Sequence, residues 1–105
     1  MTTERLDAVS VTTRANVFFD GKCVSHTVTT ADGTRKSVGV ILPSHLTFNI
    51  GAAETMECVA GQAEYRVGNG GEWQTTTPGH AFSIPANGSF EIRVADAYHY
   101  ICHFG

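Results

Sequence analysis

Glu54 is the carboxylate whose setting best suits chemistry, because it follows a loop of small residues, Gly51-Ala52-Ala53. Turned inward from such a loop, its carboxyl would have a raised pKa or would need a partner such as Arg or Ser. Glu57 has the opposite strand parity and is expected to be solvated or paired on the outside. Arg35-Lys36-Ser37 leads into Val38-Gly39-Val40-Ile41. Two cations and a hydroxyl at a strand mouth can hold a phosphate through charge-assisted hydrogen bonds. Gly39 inside that strand marks the close approach of another backbone or of a ligand. His99 and His103 would share one face of a strand but stand about 13 Å apart, too far to ligate one metal. They are expected at the surface or at a subunit interface.

These groups need a scaffold, and the scaffold reads as all-β. Gly and Pro punctuate the chain, and the segments between them are rich in Val, Ile, Thr, Phe and Tyr. Strands are expected over 23–29, 37–42, 46–50, 55–60, 63–67, 72–76, 81–84, 89–95 and 98–104. Asp32-Gly33 and Gly68-Asn69-Gly70-Gly71 are turn signals. Residues 1–14 are polar and Thr-rich, and read as an N-terminal tail or a loosely attached edge strand before a domain over 15–105.

Two motifs narrow the barrel type. Pro78-Gly79-His80-Ala81-Phe82-Ser83-Ile84-Pro85-Ala86-Asn87-Gly88-Ser89-Phe90 resembles the second motif of cupin barrels, in which a metal-binding His ends the run. Phe90 stands at that place. Glu54 and Gly61 have the Glu-to-Gly spacing that closes the first cupin motif. The histidines that should precede Glu54 are absent, since the candidate positions hold Thr47 and Asn49, or Phe48 and Ile50. The expectation is a single-domain cupin-type jelly-roll β-barrel with no metal. Its interior would be an aromatic slot suited to a flat, partly polar molecule. In a purely structural reading, Phe48 and Phe90 simply fill the barrel.

The remaining composition sets limits. The chain has 105 residues, enough for one domain, and a formal net charge of −3. That charge gives no polybasic surface for nucleic acid. No apolar run is long enough to span a membrane, and the polar, acidic N-terminus lacks the apolar stretch of a signal peptide. The cytoplasm is therefore the expected compartment. Cys23, Cys58 and Cys102 show no metal-binding spacing and are expected as small core residues in a reducing environment.

Several segments together resemble the pyrimidine/purine nucleoside phosphorylases, short single-domain cupins. They are Phe18-Phe19-Asp20-Gly21-Lys22, Arg35-Lys36-Ser37-Val38-Gly39-Val40, Glu54-Thr55-Met56-Glu57-Cys58-Val59-Ala60-Gly61, the Phe82-to-Phe90 run and Tyr100-Ile101-Cys102. The likeness spans about residues 15 to 104. It implies that nucleoside and phosphate give free base and pentose 1-phosphate, with broad nucleoside specificity. It also implies a homodimer, no cofactor and no required metal, with inorganic phosphate as co-substrate. On the matching positions, chemistry assigns Arg35, Lys22 and Ser37 to phosphate. It assigns Glu54 to the ribose hydroxyls or to the cationic sugar, and Phe48, Phe90 and Tyr100 to the base. The competing expectations are a non-enzymatic small-molecule-binding barrel and a metal-dependent isomerase or dioxygenase of the wider cupin group. The missing His-x-His argues against the last of these.

Overall fold

Turn chemistry sets where the strands end. In the computed structural model, which describes residues 3–68 and 70–104, Gly33 N donates to Thr30 O at 2.9 Å, with Gly33 at φ 89°. The Pro85 turn closes in the same way, with Gly88 N on Pro85 O at 3.0 Å and Asn87 at φ 60°. Asn69 of the expected Gly68-to-Gly71 turn, and Met1 and Thr2 of the expected tail, lie outside the described residues.

All nine expected strands form, as β3 (Cys23–Thr29), β4 (Arg35–Ile41), β5 (Ser44–Asn49), β6 (Glu54–Ala60), β7 (Ala63–Val67), β8 (Gln74–Thr76), β9 (Ala81–Ile84), β10 (Ser89–Val94) and β11 (Tyr98–Phe104). Two short strands precede them, β1 (Ser10–Val11) and β2 (Asn16–Phe18), with a 3-10 turn at Phe19–Gly21. Both lie on the free edge of β3, where Ser10 pairs with Thr29 and Asn16 with Ser25. Sequence reasoning gave neither a boundary, because two or three residues carry no readable alternation.

The strands form two antiparallel sheets. One is seven-stranded, in the order β1-β3-β4-β11-β6-β9, with β2 also on β3; the other is four-stranded, in the order β5-β10-β7-β8. All-β is the class expected from the sequence. The core lies between the sheets and includes Ile41, Phe82, Ile84, Phe90, Ile92 and Tyr98, all buried. Burying these faces stabilises the fold by roughly 25 cal/mol per Å² of apolar surface removed from water. Gly61 is required where β6 turns, because it has φ 80° and an added Cβ would lie 2.2 Å from Ala97 O.

The N-terminal segment runs across the outer face of the larger sheet. Leu6, Val9 and Val11 line an apolar groove there with Val28, Val38 and Ile101. This cover lets β3 turn its valines outward and its Cys, Ser and Thr side chains inward.

Candidate active site

Strand register builds the site row by row on the inner face of the larger sheet. Asn16, Ser25, Gly39 and Tyr100 fall in one row, through the pairs Asn16↔Ser25, Ser25↔Gly39 and Tyr100↔Gly39. Two residues toward the rim, Thr27 pairs with Ser37 and Cys102 pairs with both Ser37 and Met56. One further step out, Thr29 pairs with Arg35, and Phe104 pairs with Glu54. From the facing sheet, Phe48 on β5 and Phe90 on β10 pair directly. Their rings stack with centroids 4.9 Å apart and planes within 8°.

These two faces enclose a cavity of about 420 Å³. Its aromatic wall is Phe48 and Phe90, with Phe18 and Phe104 at the mouth. Its opposite wall is polar and holds Asn16, Ser25, Thr27, Ser37, Glu54 and Cys102. The volume falls in the range of about 300–1,000 Å³ usual for small-molecule sites. Ser25, Ser37, Tyr100 and Cys102 are buried, whereas Phe18, Phe104, Asn49 and Gly51 are exposed, so the polar wall lies deeper than the rim.

Glu54 is the charged residue of that lining. Burial pushes its carboxyl above the usual carboxylate range, and the neighbouring Cys102 thiol opposes the shift. Burial, with the Glu54 carboxylate beside it, pushes the Cys102 thiol up to about 12. Cys102 is therefore a protonated thiol and a poor nucleophile. Burial likewise raises the Tyr100 hydroxyl, which contacts the Cys23 thiol at 3.4 Å. Gly39 makes that contact possible, because a Cβ there would sit 2.7 Å from the Tyr100 hydroxyl oxygen. The approach expected at Gly39 is thus made by this side chain, with the Val24 carbonyl equally close at 2.7 Å.

Five of the seven residues singled out in the sequence meet in this cavity: Glu54, Ser37, Phe48, Phe90 and Tyr100. Tyr100 lies on the polar wall, away from the Phe48–Phe90 stack. Arg35 and Lys22 do not line the cavity. Arg35 is exposed at the rim, on the same face as Ser37 but two residues farther out. Lys22 precedes Cys23, at the opposite end of the β3–β4 ribbon from the Thr29↔Arg35 pair. A seven-residue strand spans about 20 Å, so Lys22 and Arg35 cannot grip one phosphate. The expected Arg35–Lys22–Ser37 cluster is corrected on that ground.

Asn16, Thr27, Ser25 and Cys102 were missed as site residues. The signal for the middle pair was present, because Cys23, Ser25, Thr27 and Thr29 alternate as one small, mostly hydroxylated face. On the outside, Glu57 accepts from His103 Nε2 at 2.8 Å, and Lys36 Nζ donates to His103 Nδ1 at 2.7 Å. That agrees with the outward parity expected for Glu57 and His103. Burial alone would raise Glu57, but its bonds from Thr3 and His103 and the charge of Lys36 bring its pKa below the usual value.

The donor set does not suit a cupin metal. The cavity offers one carboxylate, a thiol that holds its proton and no imidazole. Among the described residues no three of His, Cys, Asp and Glu come together as a metal-holding group. Also among the described residues, no helix is long and apolar enough to cross a membrane.

The family model described as pyrimidine/purine nucleoside phosphorylase matches residues 13–104. The chain is 64% identical to a protein of that name from Polaromonas naphthalenivorans (strain CJ2), with 99% of each chain covered. It is also 64% identical to one from Paracidovorax citrulli (strain AAC00-1), over the full length of both. Among solved structures, it is similar to a protein of unknown function from Acinetobacter sp. ADP1. There the TM-score is 0.94 at 36% identity, covering 98% of this chain and 100% of that one.

Proposed function

The chain belongs to the pyrimidine/purine nucleoside phosphorylase family, and we propose that the cavity between Phe48–Phe90 and Glu54 is where it splits nucleosides with phosphate. The observation that carries this placement is the cavity's two unlike walls, aromatic on one sheet and polar on the other. A nucleobase stacks on Phe48, whose other face rests on Phe90, and the sugar lies between the walls. Stacking accepts any base with a π-face, which supports a broad purine and pyrimidine range.

The reaction is one displacement. A phosphate oxygen bonds to the anomeric carbon as the glycosidic bond breaks, and that bond's electron pair leaves on the base nitrogen. The base takes a proton from the Glu54 carboxyl, which opens β6 directly after the 50–53 connection from β5 and so stands at the rim where the two walls meet. After the displacement Glu54 is reprotonated, through water, by the proton that the sugar phosphate's hydroxyl gives up. Burial raises the Glu54 pKa and so favours the form that holds that proton. The walls face each other across the barrel, which sets nucleophile and leaving group in line. No step calls for a metal, in keeping with a lining that lacks imidazoles.

Three further readings belong with this one. We read the two-sheet barrel, with its Glu54-to-Gly61 and Gly79-to-Phe90 spacings, as a cupin. A homodimer is supported by apolar residues left exposed on the outer surface, among them Val17, Val38 and Leu42. A cytoplasmic setting is supported by three free, buried cysteines.

The test is to incubate the purified protein with uridine or adenosine, with and without phosphate, and to measure free base. Phosphate-dependent release of uracil and adenine is expected. No such release across several nucleosides overturns the reading and favours a non-enzymatic binding barrel. Stoichiometric bound iron, manganese or nickel in the active protein would overturn the metal-free part.

A further inference from the structure

We propose that the phosphate subsite is a cradle of neutral hydroxyls, Ser25 and Thr27 held by Asn16 and Ser37 beside Cys102, and that no cation grips the anion directly. This rests on the reading of the cavity as a phosphorylase site and assigns its second substrate a place.

The geometry is specific. Asn16 Nδ2 donates to Ser25 Oγ and to Thr27 Oγ1, each at 3.4 Å. Both hydroxyls project from the inner face of β3, and Thr27 pairs with Ser37 on β4. All four side chains line the cavity, and Ser25 and Ser37 are buried. A hydroxyl that accepts from an amide, as Ser25 and Thr27 do, keeps its hydrogen to donate. The cradle thus presents a set of O–H donors two residues apart along one strand and one strand apart across the sheet. A ribose needs both donors and acceptors. A phosphate offers acceptor oxygens, and hydrogen bonds from neutral donors to a charged acceptor are among the stronger ones. Ser25 and Ser37 are buried, so their dipoles act with less of the screening that weakens a surface cation.

Position agrees with chemistry. The cradle is on the wall opposite the Phe48–Phe90 stack, where an attacking oxygen must be if the base lies on the aromatic side. Ser37 also neighbours Cys102, which neighbours Glu54. An anion in the cradle therefore sits close enough to Glu54 to favour its protonated form. Arg35, one row farther out, acts as an attractor at the mouth rather than as a ligand.

The experiment uses the full chain with inorganic phosphate as the probe. Steady-state kinetics would be measured for Thr27→Val, Ser37→Ala, Asn16→Asp and the conservative Thr27→Ser. Losing one hydrogen bond to a charged group is expected to raise KM for phosphate by about tenfold or more. KM for uridine should stay within about twofold, because stacking on the far wall is untouched. Thr27→Ser should recover most of the loss. Asn16→Asp, which cannot donate and adds charge, should be the worst. A parallel melting titration with phosphate alone should raise Tm in the wild type and not in Thr27→Val. Folded variants with unchanged phosphate KM, or with a raised uridine KM instead, overturn the cradle. If the wild type releases no base yet its phosphate-dependent Tm rise vanishes in Thr27→Val, the cradle stands and the phosphorylase reading falls.

Discussion

Phe48 and Phe90 occupy directly paired positions on β5 and β10, and their rings stack at 4.9 Å within 8° of parallel. Phe90 is nearly closed off from solvent at 2%, while Phe48 is half-buried and in edge contact with Phe19 at 5.0 Å. Phe90 is thus the fixed backing of the pair and Phe48 the ring that a base can reach.

That difference yields the first prediction. Phe48→Ala should raise KM for both uridine and adenosine by about fivefold, the worth of one stacking contact of about 1 kcal/mol. KM for phosphate should not change. Phe90→Ala should instead unfold more easily, by about 3–5 kcal/mol, since it empties a buried aromatic site. Denaturant melts alongside initial rates separate the two. A Phe48→Ala rise in phosphate KM as large as that in nucleoside KM would remove Phe48 from the base slot.

The cations on the β3–β4 ribbon should behave unequally. Arg35→Ala should lower kcat/KM for phosphate a few-fold, and the difference from wild type should shrink as salt is raised. Lys22→Ala should leave the kinetics unchanged, because Lys22 lies at the opposite end of the ribbon. A loss for Lys22→Ala matching that for Arg35→Ala would mean that both reach the anion.

How far the sequence revealed the site differs between its walls. Phe90 was legible because a cupin-like run of turn residues ends on it, and Glu54 because it stands a fixed spacing before Gly61. The hydroxyl wall was not legible. On β3 alternation offers two faces, Val24, His26 and Val28 or Cys23, Ser25 and Thr27. Apolarity favours turning the valines to the core. The fold does the reverse, because the N-terminal segment covers Val28 from outside. Asn16 was hidden for another reason. Its contacts are with Ser25 and Thr27, nine and eleven residues on, and its strand is three residues long. Strand positions follow from local turn chemistry, whereas strand facing depends on what covers each sheet.

Gly39 tests whether the Tyr100 hydroxyl must sit where it does. In Gly39→Ala the new Cβ would meet the Tyr100 hydroxyl oxygen at 2.7 Å, Val24 O at 2.7 Å and Ser25 Cβ at 2.8 Å. Two of these neighbours are not flexible ends, so the strands must part. A loss of about 1–3 kcal/mol is expected, with phosphate KM rising as Ser25 is displaced. Adding Tyr100→Phe should restore only part of the stability, since the Val24 carbonyl still clashes. Full restoration would show the hydroxyl to be the sole obstacle.

Glu54 gives the pH prediction. Its folded-state pKa is raised by burial, so the folded chain favours the protonated form more than the unfolded chain does. The stability this confers is fully present below the ordinary Glu value. It is lost as pH rises from that value through the higher folded one. Wild-type Tm should therefore fall across that window, and Glu54→Gln, which cannot ionise, should flatten the fall. The same ionisation removes the proton needed by the leaving base, so kcat/KM should decline with pH on a limb that Glu54→Gln abolishes. The Gln variant should also be slower at every pH, by about 10²–10⁴-fold if the carboxyl is the general acid. Saturating phosphate should move the kcat limb to higher pH than the kcat/KM limb, because an anion in the cradle makes Glu54 harder to ionise. Equal limbs would place the phosphate out of reach of Glu54. A Glu54→Gln enzyme with wild-type rates would remove Glu54 from the chemistry.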